Sequence, residues 1–306
     1  MIALAWTGAA LGPLAMWWLW TRHMRAPRII AGVMAVFWVL GVWAFLAEPK
    51  ITIARHITVA SPAWTGPPLR IAVLSDTHVG SPHVTPERVT QVVARLSRER
   101  PDVVVYLGDY AGGHEPAAVR AAPERSAVLR GVAVLGAAQA PLGRLGVLGN
   151  HDWWYDGPAI EQALRRAGVT VLENDAVRVD RPGGPFWIAG LADLDSRRAK
   201  PSAAAALAKV PPGEPVILLS HWPDPFPQVP ARVAVTLAGH SHCGQVDFPI
   251  LGRQVHASHG SARWACGLYD EGGRKLFVTG GLGTSILPVR FRAPPEFVIV
   301  TLRGRP

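Results

Sequence analysis

Cysteine is almost missing from this 306-residue chain, which has two, Cys243 and Cys266. Two such residues make no metal-binding C-x-x-C pair and no disulfide scaffold. We read them as buried, unpaired thiols, the usual state of isolated cysteines; in an exported domain a disulfide stays open. Charge is also sparse: Asp and Glu number 22 against 31 Lys and Arg, for a formal net charge of +9. No basic run interleaved with aromatics occurs, so no nucleic-acid partner is expected. A mildly basic body instead suits anionic substrates and anionic membrane surfaces. There is no internal repeat, and the only low-complexity patch is the alanine run at 203–206.

The missing charge is missing locally. Segments 1–20 and 29–47 contain no charged residue, and each is near the roughly 20 residues that cross a bilayer as a helix. They hold six of the 12 tryptophans, with Trp17, Trp18 and Trp20 crowded at one end as in an interfacial belt. A cleavable signal peptide fits less well, because residues 1–20 lack a positive start and Phe45 and Ala47 make a poor cleavage site. The intervening TRHMRAPR carries Arg22, Arg25 and Arg28. Positive-inside logic puts this loop in the cytoplasm. The expectation is a multi-pass cell-membrane protein: a transmembrane hairpin over 1–47, a linker over 48–68 and an extracytoplasmic catalytic domain over 69–306.

Beyond the linker, short apolar runs alternate with amphipathic ones. Helices are expected at 86–99, 116–130, 158–167 and 202–209. Strands are expected at 69–75, 103–107, 132–135, 144–148, 169–172, 186–190, 215–219, 233–237, 275–279 and 296–302. The first half alternates strand and helix and the second is richer in strands, which predicts two packed sheets with helices outside.

Five polar blocks follow these strands: Asp76-Thr77-His78, Gly108-Asp109, Gly149-Asn150-His151-Asp152, Ser220-His221 and Gly239-His240-Ser241-His242. Ligands of layered α/β proteins gather at the carboxyl ends of strands. A phosphate ester resists hydrolysis because its anionic oxygens repel nucleophiles. Two cations about 3.5–4 Å apart would clamp those oxygens and generate hydroxide from bound water. Such a site needs hard carboxylates, imidazoles and one bridging carboxylate, and the blocks supply them. Asp76 and His78 are two apart on a segment read as extended, as are His240 and His242, so each pair would face one way. Asp109 is placed to bridge, and Asn150 adds an amide oxygen. Asp152 would hydrogen-bond His151 and raise its proton affinity, making His151 the general acid. The donor set admits Mn, Fe or Zn alike. Histidines 23, 56, 83, 114, 256 and 259 belong to no block and are expected on the surface or in loops, His114 lying nearest to Asp109.

The series D-x-H, G-D, G-N-H-D, H and G-H-x-H resembles the calcineurin-like metallophosphoesterase superfamily, over about residues 69–304. The resemblance implies a four-layer α-β-β-α sandwich with a dinuclear metal centre. One ion would take Asp76, His78, Asp109 and His242. The other would take Asp109, Asn150, His221 and His240, with His151 as the catalytic histidine. GHSHCGQV, the tail GGLGTSILPVRFRAPPE and the apolar start resemble its membrane-associated phosphodiesterase branch typified by YkuE and YaeI, some relatives of which are linked to UDP-2,3-diacylglucosamine cleavage. In two places the chain departs from the pattern. Cys243 stands where that branch has glycine, and GDYAGGHE lacks the phosphate-gripping Arg of the protein phosphatases, which turns the reading away from phosphoproteins.

The expected activity is hydrolysis of a phosphodiester or pyrophosphate in a lipid or envelope component by metal-bridged hydroxide, with no obligate protein partner. A phosphomonoesterase or nucleotidase on the same site is the alternative, and a metal-stabilised membrane scaffold a further one. Trp153, Trp154 and Tyr155 are read equally as an aromatic lip or as core. Gly280, Gly281 and Gly283 are read as a tight turn, Asp193 and Asp195 as surface partners of Arg197 and Arg198, and Arg290 and Arg292 as solvated.

Overall fold

The β-branched and aliphatic runs fold into two six-stranded sheets lying face to face. The computed structural model describes residues 2–22 and 25–304. Met1, His23, Met24, Arg305 and Pro306 lie outside the described residues, so the expectation for His23 and the outer ends of the two expected domains do too. In the first sheet the order is β1 (Ile53–Ala60), β14 (Glu296–Arg303), β2 (Leu69–Leu74), β3 (Val103–Tyr106), β4 (Arg144–Gly146) and β5 (Thr170–Val171). β2 to β5 run parallel, and β14 runs against β2. In the second the order is β12 (Gly267–Glu271), β13 (Arg274–Val278), β9 (Val233–Ala238), β8 (Val216–Leu219), β7 (Phe186–Gly190) and β6 (Asp175–Val179). Its four central strands are parallel and its two edge strands antiparallel. A small ribbon pairs β10 (Asp247–Phe248) with β11 (Gly252–Arg253).

Alternation along the strands sorts the core. In β2, Ile71 and Val73 join Ile217, Val235 and Phe277 between the sheets. Ala72 and Leu74 turn the other way, under α3 (Pro86–Arg98), α4 (Ala122–Val134) and α5 (Asn150–Arg166). The outer face of the second sheet is covered by the short α6 (Ala203–Ala206) and α7 (His259–Arg263), with Trp264 packed against Phe226. This is the α-β-β-α order, with one thick and one thin helical layer.

Two expectations are corrected. The run at 132–135 is the end of α4 and the turn after it, not a strand; Val128, Val132 and Leu135 are all buried at helical spacing, a period that outranks local β propensity. The stretch 48–68 is not merely a linker, because β1 pairs in parallel with β14 from Ile53 to Ala60. Ile57 and Val59 turn inward while His56 and Thr58 stay exposed, a half-buried edge-strand pattern.

Ahead of the sheets, α1 (Ile2–Trp20) and α2 (Arg25–Val42) form an antiparallel hairpin. Each is the core of a helix long and apolar enough to cross a membrane. Glycine permits the pairing: a Cβ on Gly12 would run into the Trp38 ring, whose Nε1 donates to Gly8 O at 3.0 Å. Small residues at such contacts are what helix pairing in lipid uses. The far end of the hairpin is fastened to the loop that leads into β14. Buried Glu48 accepts from Trp43 Nε1 at 2.6 Å and Ala293 N at 2.8 Å, and Arg290 N donates to Ala44 O at 2.9 Å.

Candidate metal centre

The five blocks meet at the carboxyl ends of β2, β3, β4, β8 and β9, where both sheets open onto one floor. Asp76 and Asp109 lie just past β2 and β3, and His221 and His240 past β8 and β9. Asn150 and His151 open α5, beyond β4. Three clusters result: Asp76, His78 and His242; His78, Asp109 and His151; and Asp109, His221 and His240, each with ligand atoms within 4.8 Å of one another. Asp109 is in two of them. Its Oδ2 lies 3.5 Å from His78 Nε2, 3.3 Å from His221 Nε2 and 4.0 Å from His151 Nε2. Asn150 Oδ1 lies 3.1 Å from His221 Nε2. All seven ligand candidates are buried.

The convergence is not achieved by strand alternation. Asp76, His78, Asp109, His240 and His242 have φ of 51°, 45°, 56°, 65° and 50°, so the expectation of extended D-x-H and H-x-H segments is corrected. Each block turns sharply as it leaves its strand, in a region that L-residues occupy at a cost. Glycines leave room for these turns. A Cβ on Gly149 would strike Asp109 Oδ1, one on Gly239 would strike Asp76, and Gly108 itself has φ 92°.

The side chains fit divalent cations. His78 Nε2 and His242 Nε2 face each other at 3.1 Å, with Asp76 Oδ1 3.5 Å from the latter. His240 Nε2 is buried without a hydrogen-bond partner among the described residues. Burial pushes His78 and His240 down to about 3 and His242 well below the ordinary range, so their ring nitrogens keep free lone pairs at neutral pH. Burial alone would raise Asp109, but His221 and His151 outweigh it and hold the carboxyl well below the usual range. Burial also opposes charge on His221, yet Asp109, Asp76 and Asp193 overcome it and hold the imidazolium up to about 10. Packed imidazoles and carboxylates with unmet lone pairs, and one proton shared where a cation would sit, are a site made for metal.

The supporting residues correct several expectations. Asp152 does not orient His151. Its carboxylate accepts from the backbone N–H groups of Asp109, Tyr110, Ala111 and Gly149, at 2.8–3.1 Å, and so clamps the β3 loop onto the start of α5. His151 Nδ1 is instead 2.7 Å from Gly113 O. Arg290 is fully buried, not solvated: it donates to the carbonyls of His242, Gly280, Gly283 and Ala293. Asp193 is buried and accepts from Trp222 Nε1 at 2.8 Å, while Asp195 accepts from Trp154 Nε1 at 2.9 Å. Neither pairs with Arg197 or Arg198 among the described residues; Arg198 bonds Glu161 and Glu173. Cys243 and Cys266 are joined as a disulfide. Chain separation hid their approach, with Cα atoms 4.8 Å apart, within bridging range. Trp153 and Tyr155 are core, whereas the Trp154 ring lies 4.6 Å from that of His151 and stacks on His114.

Three neighbours carried no signal in the sequence. Trp222 stacks on His240 with centroids 3.5 Å apart. Ser285 Oγ lies 3.4 Å from His151 Nε2. A pocket of about 460 Å³ opens beside His151, lined by Gly112, His114, Arg120, Ser285 and Ile286 and by Ile2 of α1.

Comparison with known proteins gives the geometry its context. The family model described as calcineurin-like phosphoesterase matches residues 69–244. The chain is 30% identical to the Bacillus subtilis protein described as uncharacterized metallophosphoesterase YkuE, over 77% of this chain and 79% of that one. It is 28% identical to phosphodiesterase YaeI of Escherichia coli, over 77% and 82%. It is 29% identical to a Danio rerio transmembrane protein with metallophosphoesterase domain, over 92% of this chain and 63% of that one.

Proposed function

Because this chain belongs to the calcineurin-like phosphoesterase family of metal-dependent hydrolases, we propose that it is a membrane-anchored phosphodiesterase working through two divalent ions. The carrying observation is Asp109, whose Oδ2 lies between imidazoles of two clusters. Asp76, His78 and His242 would complete one ion's shell, and Asn150, His221 and His240 the other's. Ions held there supply charge neutralisation for the phosphoryl oxygens and an activated water.

The remaining work belongs to the chain. His151 sits at the pocket with Nδ1 against Gly113 O; that bond keeps the Nδ1 proton and aims Nε2 at the pocket, where the doubly protonated ring would give its Nε2 proton to the departing alkoxide and be left neutral. Asp152 acts one step removed, holding the Asp109 loop in place. His78, Asp76 and Asp109 are buried, so charges on this floor are little screened by bulk solvent and count for more.

The substrate we favour is a lipid or envelope phosphodiester or pyrophosphate. The phosphodiesterase name of the Escherichia coli relative supports the bond type, and the apolar hairpin supports a membrane setting. The Cys243–Cys266 disulfide supports an oxidising, extracytoplasmic location, in accord with Arg22, Arg25 and Arg28 around the turn of the hairpin. Asp109→Asn and His151→Ala should each lower hydrolysis of an aryl phosphodiester by about 10²–10⁴-fold while circular dichroism stays unchanged. Wild-type turnover in both would refute the reading.

A further inference from the structure

Two isoleucines hold conformations that β-branched residues avoid. Ile250, at the tip between β10 and β11, has φ 73°, and Ile286, in the loop after Gly283, has φ 60°. A β-branched residue at positive φ is a genuine outlier, and burial of the side chain is the usual compensation. Here there is none: Ile250 is fully exposed and Ile286 is 74% exposed. Leu251, Phe248, Val255 and Leu287 beside them are exposed as well. Strain that presents apolar groups outward points to something that covers them.

The two loops are one surface. Ser285 N donates to Gln245 Oε1 at 2.6 Å, Gln245 Nε2 donates to Leu287 O at 3.2 Å, and Asp247 N donates to Phe291 O at 2.9 Å. That surface also adjoins the hairpin. Ile286 and Leu287 line the same pocket as Ile2, the first residue of α1, and Arg290 N donates to Ala44 O just past the end of α2. A bilayer crossed by α1 therefore ends where these side chains stand. Exposed Arg292 and Lys50, the latter 5.6 Å from the Trp6 ring, put positive charge at the same level, as an interface with anionic lipid favours.

We propose that the Phe248–Leu251 tip and the Ser285–Leu287 loop enter the headgroup layer of the bilayer that holds α1 and α2, so that the pocket beside His151 opens directly onto lipid. This rests on the reading of the hairpin as membrane-spanning. Apolar side chains inserted a few ångströms, together with basic residues, bind such an interface. The pocket then meets an amphiphilic phosphoester without the substrate leaving the membrane.

The test uses the full chain in vesicles of phosphatidylethanolamine and phosphatidylglycerol. The native cysteines are disulfide-bonded, so an added thiol takes the label. Ile250→Cys and Leu251→Cys carry an NBD fluorophore, with Val36→Cys in α2 as the membrane control and Pro212→Cys, in an exposed turn before β8, as the aqueous one. Doxyl phospholipids should quench the labels at 250, 251 and 36 and spare 212. Quenching at 36 alone overturns this proposal and leaves the hairpin reading standing; no quenching at 36 overturns both. Shielding at 250 that grows with protein density, without lipid quenching, means that a second copy covers the tip, and overturns the proposal. Ile250→Gly is a further check: relieved of positive-φ strain, it should melt no lower than wild type. A clear loss of stability would mean that Ile250 packs within the protein, against the proposal.

Discussion

Five of the seven candidate ligands share a backbone conformation that costs each of them about 1 kcal/mol or more relative to ordinary regions. The cost is met by neighbours that leave the chain no alternative, and Asp152 is the chief of them. Four buried N–H groups depend on its carboxylate, and each left unpaired costs about 1–3 kcal/mol. Asp152→Ala should therefore lose roughly 3–5 kcal/mol in denaturant unfolding; a loss under about 1 kcal/mol would show that the clamp is dispensable. Titration follows from the same packing. His221 is held up to about 10, above its unfolded value, so its contribution is complete below about 6.5 and is lost as pH rises through 10. The metal-free protein should thus weaken steadily from pH 7 to 10 in thermal melts. A flat profile there would contradict the Asp109–His221 pairing. That these candidate residues would come together was legible in the sequence; their left-handed turns and the true partner of Asp152 were not, since both depend on contacts between segments distant in the chain.

At the level of elements, strand ends and one glycine turn build the floor. The turn after β13 lies against the D-x-H block: a Cβ on Gly281 (φ 65°) would come 2.6 Å from Asp76 Cβ, and one on Gly283 would come 2.7 Å from His78 Cβ. Gly283 N donates to Asp76 O and Leu282 N to Ser75 O. Gly281→Ala should displace Asp76 and lower metal affinity by about tenfold or more, as changes to groups that support a ligand do, read by competition with a metallochromic chelator. Unchanged affinity would show that the turn is not a support. Strands that carry a polar block were readable because an apolar run and a turn residue flank each. β1 and the helical 132–135 were misread for opposite reasons: β1 lay in a polar-rich stretch, and Val132 to Leu135 has strand composition at helix spacing. The tight turn at Gly280–Gly283 was legible as a turn, but its role under Asp76 needs the packing of β13 beside β9.

Across the whole molecule, two sheets, a hairpin and a disulfide converge on one edge. The layered order was legible from the rhythm of strands and helices, and the hairpin from two charge-free runs. The disulfide was not, nor was the pocket that brings Ile2 next to His151, because both are products of tertiary closure. The proposed centre has Asp109 as the carboxylate that two ions would share. Calorimetric titration of the metal-free protein with Mn²⁺ at pH 7 tests this directly. Two ions per chain are expected for the wild type, with proton release as His221 gives up its imidazolium, and no more than one for Asp109→Asn. Saturation of the wild type at a single ion, or two ions retained by Asp109→Asn, would contradict it.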